Sequence, residues 1–139
     1  MGKITERVTV KNFGDILMVS KGMLKNDEIR IIEVQAIVDT GGAAFLCLPP
    51  EIIAELGLMY SHSRRIITAN GEVKRNIFAG ASIIIQGRET QMSVMENDKT
   101  TPPLIGYLVL EDLDLVSDTK SQKLIPNPAH DGKWITDLL

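Results

Sequence analysis

One cysteine, Cys47, is all the thiol this 139-residue chain carries, so no internal disulfide can staple it. It sits in the apolar run of residues 44–48 and reads as a small buried hydrophobe. A nucleophilic thiol would need a base and an exposed pocket. Basic runs are equally scarce: none exceeds two residues, as at Arg64-Arg65, and the net charge is −3. Phosphate binding wants a basic face, so nucleic acid is not expected as a partner. No apolar stretch reaches the ~18 residues that a membrane span needs, and no membrane partner is expected. The polar start lacks the pattern of a secretory leader, and Glu6 stands where N-myristoylation wants Ser or Thr. A reducing, cytoplasmic setting is the simplest expectation.

Metal ligands are thin as well. His62 and His130 lie far apart without ligand-like neighbours and read as surface histidines. Asp112, Asp114 and Asp118 lack the Gly and closing Glu of a calcium loop, so they read as a solvated helix end. No metal and no cofactor are expected. No internal repeat, low-complexity segment or second domain is visible.

What is present is an ordinary globular composition, 44% hydrophobic and 24% charged, long enough for one domain over residues 1–139 with a tail from about 126. The pattern is mostly β. Residues 4–11 alternate, residues 12–15 signal a turn, residues 16–20 form a short strand and residues 28–38 a long one. Residues 44–48 read as a buried strand, and Pro50 opens a helix that Gly57 stops. Asn70-Gly71 joins residues 64–69 to 72–78 as a hairpin with a type I′ turn. A second hairpin crosses Gly87-Arg88. Residues 96–103 are a polar, exposed loop, residues 107–113 a brief helix, and residues 115–116 can pair with 123–125. Trp134 reads as an anchor that pins the tail to the body.

The long strand delivers Asp39-Thr40-Gly41 to its end. This puts a carboxylate at the mouth of a tight turn, with a hydroxyl able to lock it and a glycine that permits close backbone approach. One such carboxylate does little hydrolysis alone. Two facing each other can hold a water and share one proton. The chain has one Asp-Thr-Gly, so the second would come from a second copy.

Asp39-Thr40-Gly41, the Asn70-Gly71 hairpin and Leu104-Ile105-Gly106 follow one another in an order that resembles the retropepsin-like aspartic proteases, the family of the retroviral proteases. The lead-in at Ile29-Arg30, the run Leu110-Glu111-Asp112-Leu113-Asp114-Leu115 and Pro126-Asn127-Pro128 look most like the small stand-alone bacterial and archaeal members. The resemblance implies a mainly all-β fold, an acid-protease β-barrel with one or two short helices, acting as a homodimer on a polypeptide substrate. It implies that Asp39 is the catalytic base and acid, with Thr40 bonding across the two-fold axis and Gly41 contacting substrate backbone. Ala69, Asn70 and Gly71 would be the flap tip that covers substrate. Leu104, Ile105 and Gly106 would support the catalytic loop from behind.

Three positions depart from the family pattern. Gly42 stands where Ala, Ser or Thr is usual, which would loosen the loop. Ala43 and Tyr107 replace the Asp and Arg whose ion pair knits the retroviral dimer, so the interface must differ. The expected function is an aspartic endopeptidase. The alternative is a catalytically silent module of the same fold that binds peptides or only dimerises.

Overall fold

The computed structural model describes residues 3–138. Met1 and Gly2, on which the lipidation reading partly rests, and Leu139 at the end of the tail lie outside the described residues. The chain runs β1 (Thr5–Asn12), α1 (Phe13–Ser20), β2 (Ile31–Val38), β3 (Leu46–Leu48), α2 (Pro50–Leu56), β4 (Met59–Thr68), β5 (Gly71–Ile85), β6 (Arg88–Glu96), β7 (Leu104–Ile105), α3 (Tyr107–Leu113), β8 (Leu115–Asp118) and β9 (Lys123–Pro126). Short 3-10 turns stand at Asn26–Glu28 and Pro128–His130. Among the described residues no helix is long and apolar enough to cross a membrane.

Seven strands form one mixed sheet in the order β1-β2-β7-β3-β6-β5-β4, and β8 and β9 form a separate hairpin. β2–β7 and β3–β6 are parallel. β1 also pairs with β5, Thr9 to Asn12 against Ile84 to Ala81. The order ends on β4, whose outer edge meets no strand of the described residues. The expected all-β barrel with one or two helices is therefore corrected. The fold is mixed α/β with three α-helices among the described residues, and β4 runs past the β1–β5 pairing as an open edge.

α1 accounts for much of that difference, because it occupies residues expected to be a turn and a strand. Asn12 ends β1 and caps the helix: its Oδ1 accepts from the Asp15 amide at 2.9 Å, and its Nδ2 donates to the Leu56 carbonyl at 2.8 Å. Arg30 then grips the first turn, donating from Nε and Nη2 to the two carboxylate oxygens of Asp15 at 2.9 and 3.0 Å. That guanidinium holds the Asp15 carboxyl below its ordinary range. The strand that follows starts at Ile31 rather than residue 28, because Asn26–Glu28 form a 3-10 turn. Leu17 and Met18 of α1 are exposed, so their hydrophobicity signals no core strand.

The core lies under the sheet. Val8, Val10, Leu46, Leu48, Ile83 and Ile105 are fully buried, each contributing about 1.5–3 kcal/mol through burial. α2 ends as expected at Gly57, whose φ of +65° suits glycine. The first hairpin differs from expectation at its tip. Thr68 pairs with Gly71, leaving Ala69-Asn70 as the loop, and only Gly71 of the tip has positive φ. A type I′ turn needs two such residues. That geometry is found instead at Gln86-Gly87, with φ of +52° and +80° between β5 and β6.

The tail is latched to the end of α3. Asp114, buried and left-handed at the helix C-cap, accepts from Asn127 Nδ2 at 3.1 Å and the Ile135 amide at 3.2 Å, and meets His130 Nδ1 at 2.5 Å. His130 Nε2 lies 3.3 Å from Asp137. Trp134 Nε1 donates to the Asp112 carbonyl at 2.9 Å, and the Arg88 guanidinium sits 5.9 Å from its ring centroid. Trp134 thus anchors the tail, whereas His130 and Asp114 are not the surface histidine and solvated acid expected.

Hydrogen bonding to Asp114 raises His130 above its ordinary value, and the same bond lowers Asp114. The His130 contribution is full below the ordinary histidine range and is lost as pH rises through the raised value. The Asp114 contribution is present above the ordinary carboxyl range and is lost as pH falls through the lowered value. Tail docking is therefore expected to peak in mildly acidic solution. Fluorescence anisotropy of Trp134, the single tryptophan, should fall as pH rises past neutrality, and His130→Gln should flatten that step. An unchanged step in the variant would refute the latch.

Candidate active site

Residues 39–45 form a loop strapped down at both ends. The ladder between β2 and β7, with Val38 opposite Ile105, continues one step further: the Asp39 amide donates to the Ile105 carbonyl at 2.9 Å. At the far end, three successive amides from the start of α3 donate back to the loop. Gly106 donates to Phe45 at 3.0 Å, Tyr107 to Ala43 at 3.1 Å and Leu108 to Ala44 at 3.1 Å. The backbones meet so closely that a Cβ on Gly106 would lie 2.2 Å from the Ala44 carbonyl carbon. Only glycine fits there. Leu104 and Ile105 thus extend the ladder alongside Ile37 and Val38, and Gly106 ties it to Phe45.

Within the loop the Ala43 amide donates to the Asp39 carbonyl at 3.1 Å, and the Gly42 amide to Asp39 Oδ1 at 3.1 Å. The half-buried carboxylate of Asp39 is folded back over Gly42. A Cβ at that position would sit 2.8 Å from Oδ2 and 3.0 Å from Oδ1. Gly42 thus makes room for this carboxylate orientation, which the sequence reading did not foresee. Gly41 behaves oppositely. Its φ is not positive, and a Cβ there would meet nothing within 4 Å in the single chain. The exposed Thr40 hydroxyl makes no hydrogen bond among the described residues.

A groove of about 390 Å³ separates this loop from the inner face of the β4–β5 hairpin. Thr40, Gly41, Phe45, Arg64, Ile66 and Tyr107 are among its lining residues. The structure does not bring Ala69, Asn70 or Gly71 into this lining; they stand exposed at the hairpin tip. Arg64, Ile66 and Phe45 were missed by sequence reasoning. The signal for the first two was the hairpin register, which assigns alternate residues to one face.

Cys47 is buried behind the loop, and burial together with the nearby Asp39 charge pushes its thiol up to about 12, with Arg75 opposing. A thiol held protonated in this way is no nucleophile. Among the described residues no three His, Cys, Asp or Glu side chains are grouped to hold a metal ion.

Two substitutions probe this geometry. Gly106→Ala forces a carbon into backbone that cannot move aside, and destabilisation by about 3 kcal/mol is expected, read as a lower urea midpoint. An unshifted midpoint would show that the approach is not tight. Gly42→Ala loses one hydrogen bond of about 1 kcal/mol but gains about 0.4–1 kcal/mol from a less flexible unfolded chain. Stability should barely change, while the carboxylate swings off the residue 42 amide. An upfield shift of that amide proton by NMR is the expected sign; an unmoved resonance would contradict the steric argument.

Comparison with known proteins agrees with this arrangement. None of the curated proteins compared matches the chain. Among solved structures, the EIAV protease complexed with the inhibitor HBY-793 matches with a TM-score of 0.56 at 18% identity, over 81% of this chain and 88% of that one. At that identity the likeness shows a shared fold. A family model described as "gag-polyprotein putative aspartyl protease" matches residues 28–112, a span that includes the Asp39 loop, the hairpin and α3 up to Asp112. With most of its length inside that match and a retropepsin-like fold around the loop, the chain belongs to this aspartyl protease family.

Proposed function

We propose that the chain is an aspartic endopeptidase that works as a symmetric homodimer, without a cofactor, on extended polypeptide. The observation that carries this reading is the state of the loop in one copy. It presents a fixed carboxylate, clear space over Gly41 and an unbonded Thr40 hydroxyl beside a groove. Those features suit a second copy of the same loop across a two-fold axis, with each Thr40 bonding to the other loop. Two Asp39 carboxylates then share a proton. The ionised one takes a proton from bound water as that water attacks the scissile carbonyl, and the protonated one donates to the carbonyl oxygen. The β4–β5 hairpin, with Ala69, Asn70 and Gly71 at its tip, covers the substrate and excludes water. The finer likeness to small stand-alone bacterial and archaeal members, in a reducing cytoplasmic setting, belongs to the same reading.

One observation favours a second reading. The Asp39 carboxylate is turned onto Gly42 of its own loop, an orientation that suits a peptide-binding module which does not cleave.

Asp39→Asn separates the two. Against a diverse peptide library, the endopeptidase reading expects a loss of cleavage of about 10³-fold or more. Sedimentation of the wild type should show dimer under assay conditions. Cleavage that survives in Asp39→Asn, or that comes from a monomer, would sink the dyad mechanism. A dimer that binds peptides equally in both forms and cuts none would establish the module.

A further inference from the structure

The β4–β5 hairpin carries an unusual concentration of like charge for a chain of net charge −3. Its register sets Arg64 directly opposite Arg75 and Arg65 directly opposite Lys74. Directly opposed residues share one face of the sheet, and like charges so placed are destabilising. The alternation separates the two pairs onto opposite faces. Arg64 lies two residues before Ile66, and both line the groove beside the Asp39 loop. Arg75 is not itself among the groove-lining residues but stands opposite Arg64, two residues before the fully buried Ile77 on that same inward face.

The outer face has a local remedy. Arg65 Nε lies 3.6 Å from Glu72. The inner face has none: neither Arg64 nor Arg75 pairs with a carboxylate among the described residues. Arg64 is nonetheless held in place. Its Nε donates to His62 Nε2 at 2.8 Å, and its guanidinium carbon sits 5.1 Å from the Phe45 ring centroid. The donors left over on Arg64 border the groove in a rigid fork, the arrangement that captures a carboxylate through two hydrogen bonds.

We propose that Arg64 and Arg75 form a subsite for an acidic side chain, so that the preferred polypeptide carries Asp or Glu near the bond placed over Asp39. This rests on the groove being the substrate site, as set out under Proposed function. The missing counter-charge on the inner face is supplied by the substrate. Binding a carboxylate there relieves the repulsion between the two arginines and is charge-assisted, so it discriminates against a neutral isostere.

The test uses paired peptides that differ only as Glu against Gln, scanned through each position on either side of a cleavage site. At one position Glu should exceed Gln by about tenfold in kcat/KM, mainly through KM. Arg64→Gln and Arg75→Gln should each erase that ratio by slowing the Glu peptide far more than the Gln peptide. Arg65→Gln, on the opposite face, should keep the ratio. Arg75→Gln should not melt lower than wild type, since it removes a like-charge contact. The proposal is overturned if no position prefers Glu, if Arg65→Gln erases the ratio equally, or if Arg75→Gln slows both peptides alike. Cleavage without acidic preference defeats this proposal alone. If the wild-type dimer cuts no peptide, the endopeptidase reading falls, and the same Glu and Gln peptides compared by fluorescence anisotropy decide the subsite: a tenfold tighter Glu peptide supports it, and equal binding overturns it.

Discussion

Three hydrogen bonds between the first turn of α3 and residues 43–45 hold the site in place. They run from the consecutive amides of Gly106, Tyr107 and Leu108 to the carbonyls of Phe45, Ala43 and Ala44 respectively. Helix starts leave amides without partners, and loops leave carbonyls without partners. Here each satisfies the other. The condition is that the two backbones touch, and the missing side chain at Gly106 supplies it. Because Asp39 hydrogen-bonds to Ile105, one residue before that glycine, the carboxylate and the helix are fixed to the same two-residue strand. The position of Asp39 therefore inherits the rigidity of the buried core beneath β7.

The two neighbouring glycines of the loop stand in different surroundings. Gly41 is bordered by open space, so nothing in the single chain requires glycine there. Gly42 is bordered by the carboxylate of Asp39, three residues earlier in the same turn, so a side chain there would displace that carboxylate. The sequence reading credits close backbone approach to Gly41 and looseness to Gly42. The geometry instead distinguishes an outward vacancy from an inward fit.

Much of the fold was legible. The strand into Asp39, the Pro50 start and Gly57 stop of α2, the short β7 and the β8–β9 pairing all follow from local pattern and punctuation. What escaped depends on partners distant in sequence. α1 is capped by Asn12 and gripped by Arg30, and residues 16–20 show neither by themselves. The Asn70-Gly71 pair signals a hairpin correctly, but the pairing of Thr68 with Gly71 shifts the turn by one residue. His130 and Asp114 are sixteen residues apart and meet because the chain turns back through β8 and β9. The groove lining escaped for a related reason: Arg64 and Phe45 become neighbours through the β4–β5–β6–β3 pairings, which no local window contains. Even so, the register of one hairpin was enough to place two of its arginines face to face.

β5 is fifteen residues long and changes partners along its length. Up to Ala79 it pairs with β4, Ile77 and Phe78 already pair with β6 as well, and from Ala81 on it pairs with β1 and β6. Gly80 has φ of +93° and a ladder irregularity beside it, between Phe78 and Ala81. At about 3.3 Å per residue, the six residues from Gly71 to Asn76, which precede the β6 ladder, make an arm of roughly 20 Å set on a fixed base. At roughly 20 Å of reach, a bend of a few degrees at its root moves the tip by about an ångström. The clearance between the hairpin tip and the Asp39 loop is thus set by leverage at the point where the arm leaves the core sheet.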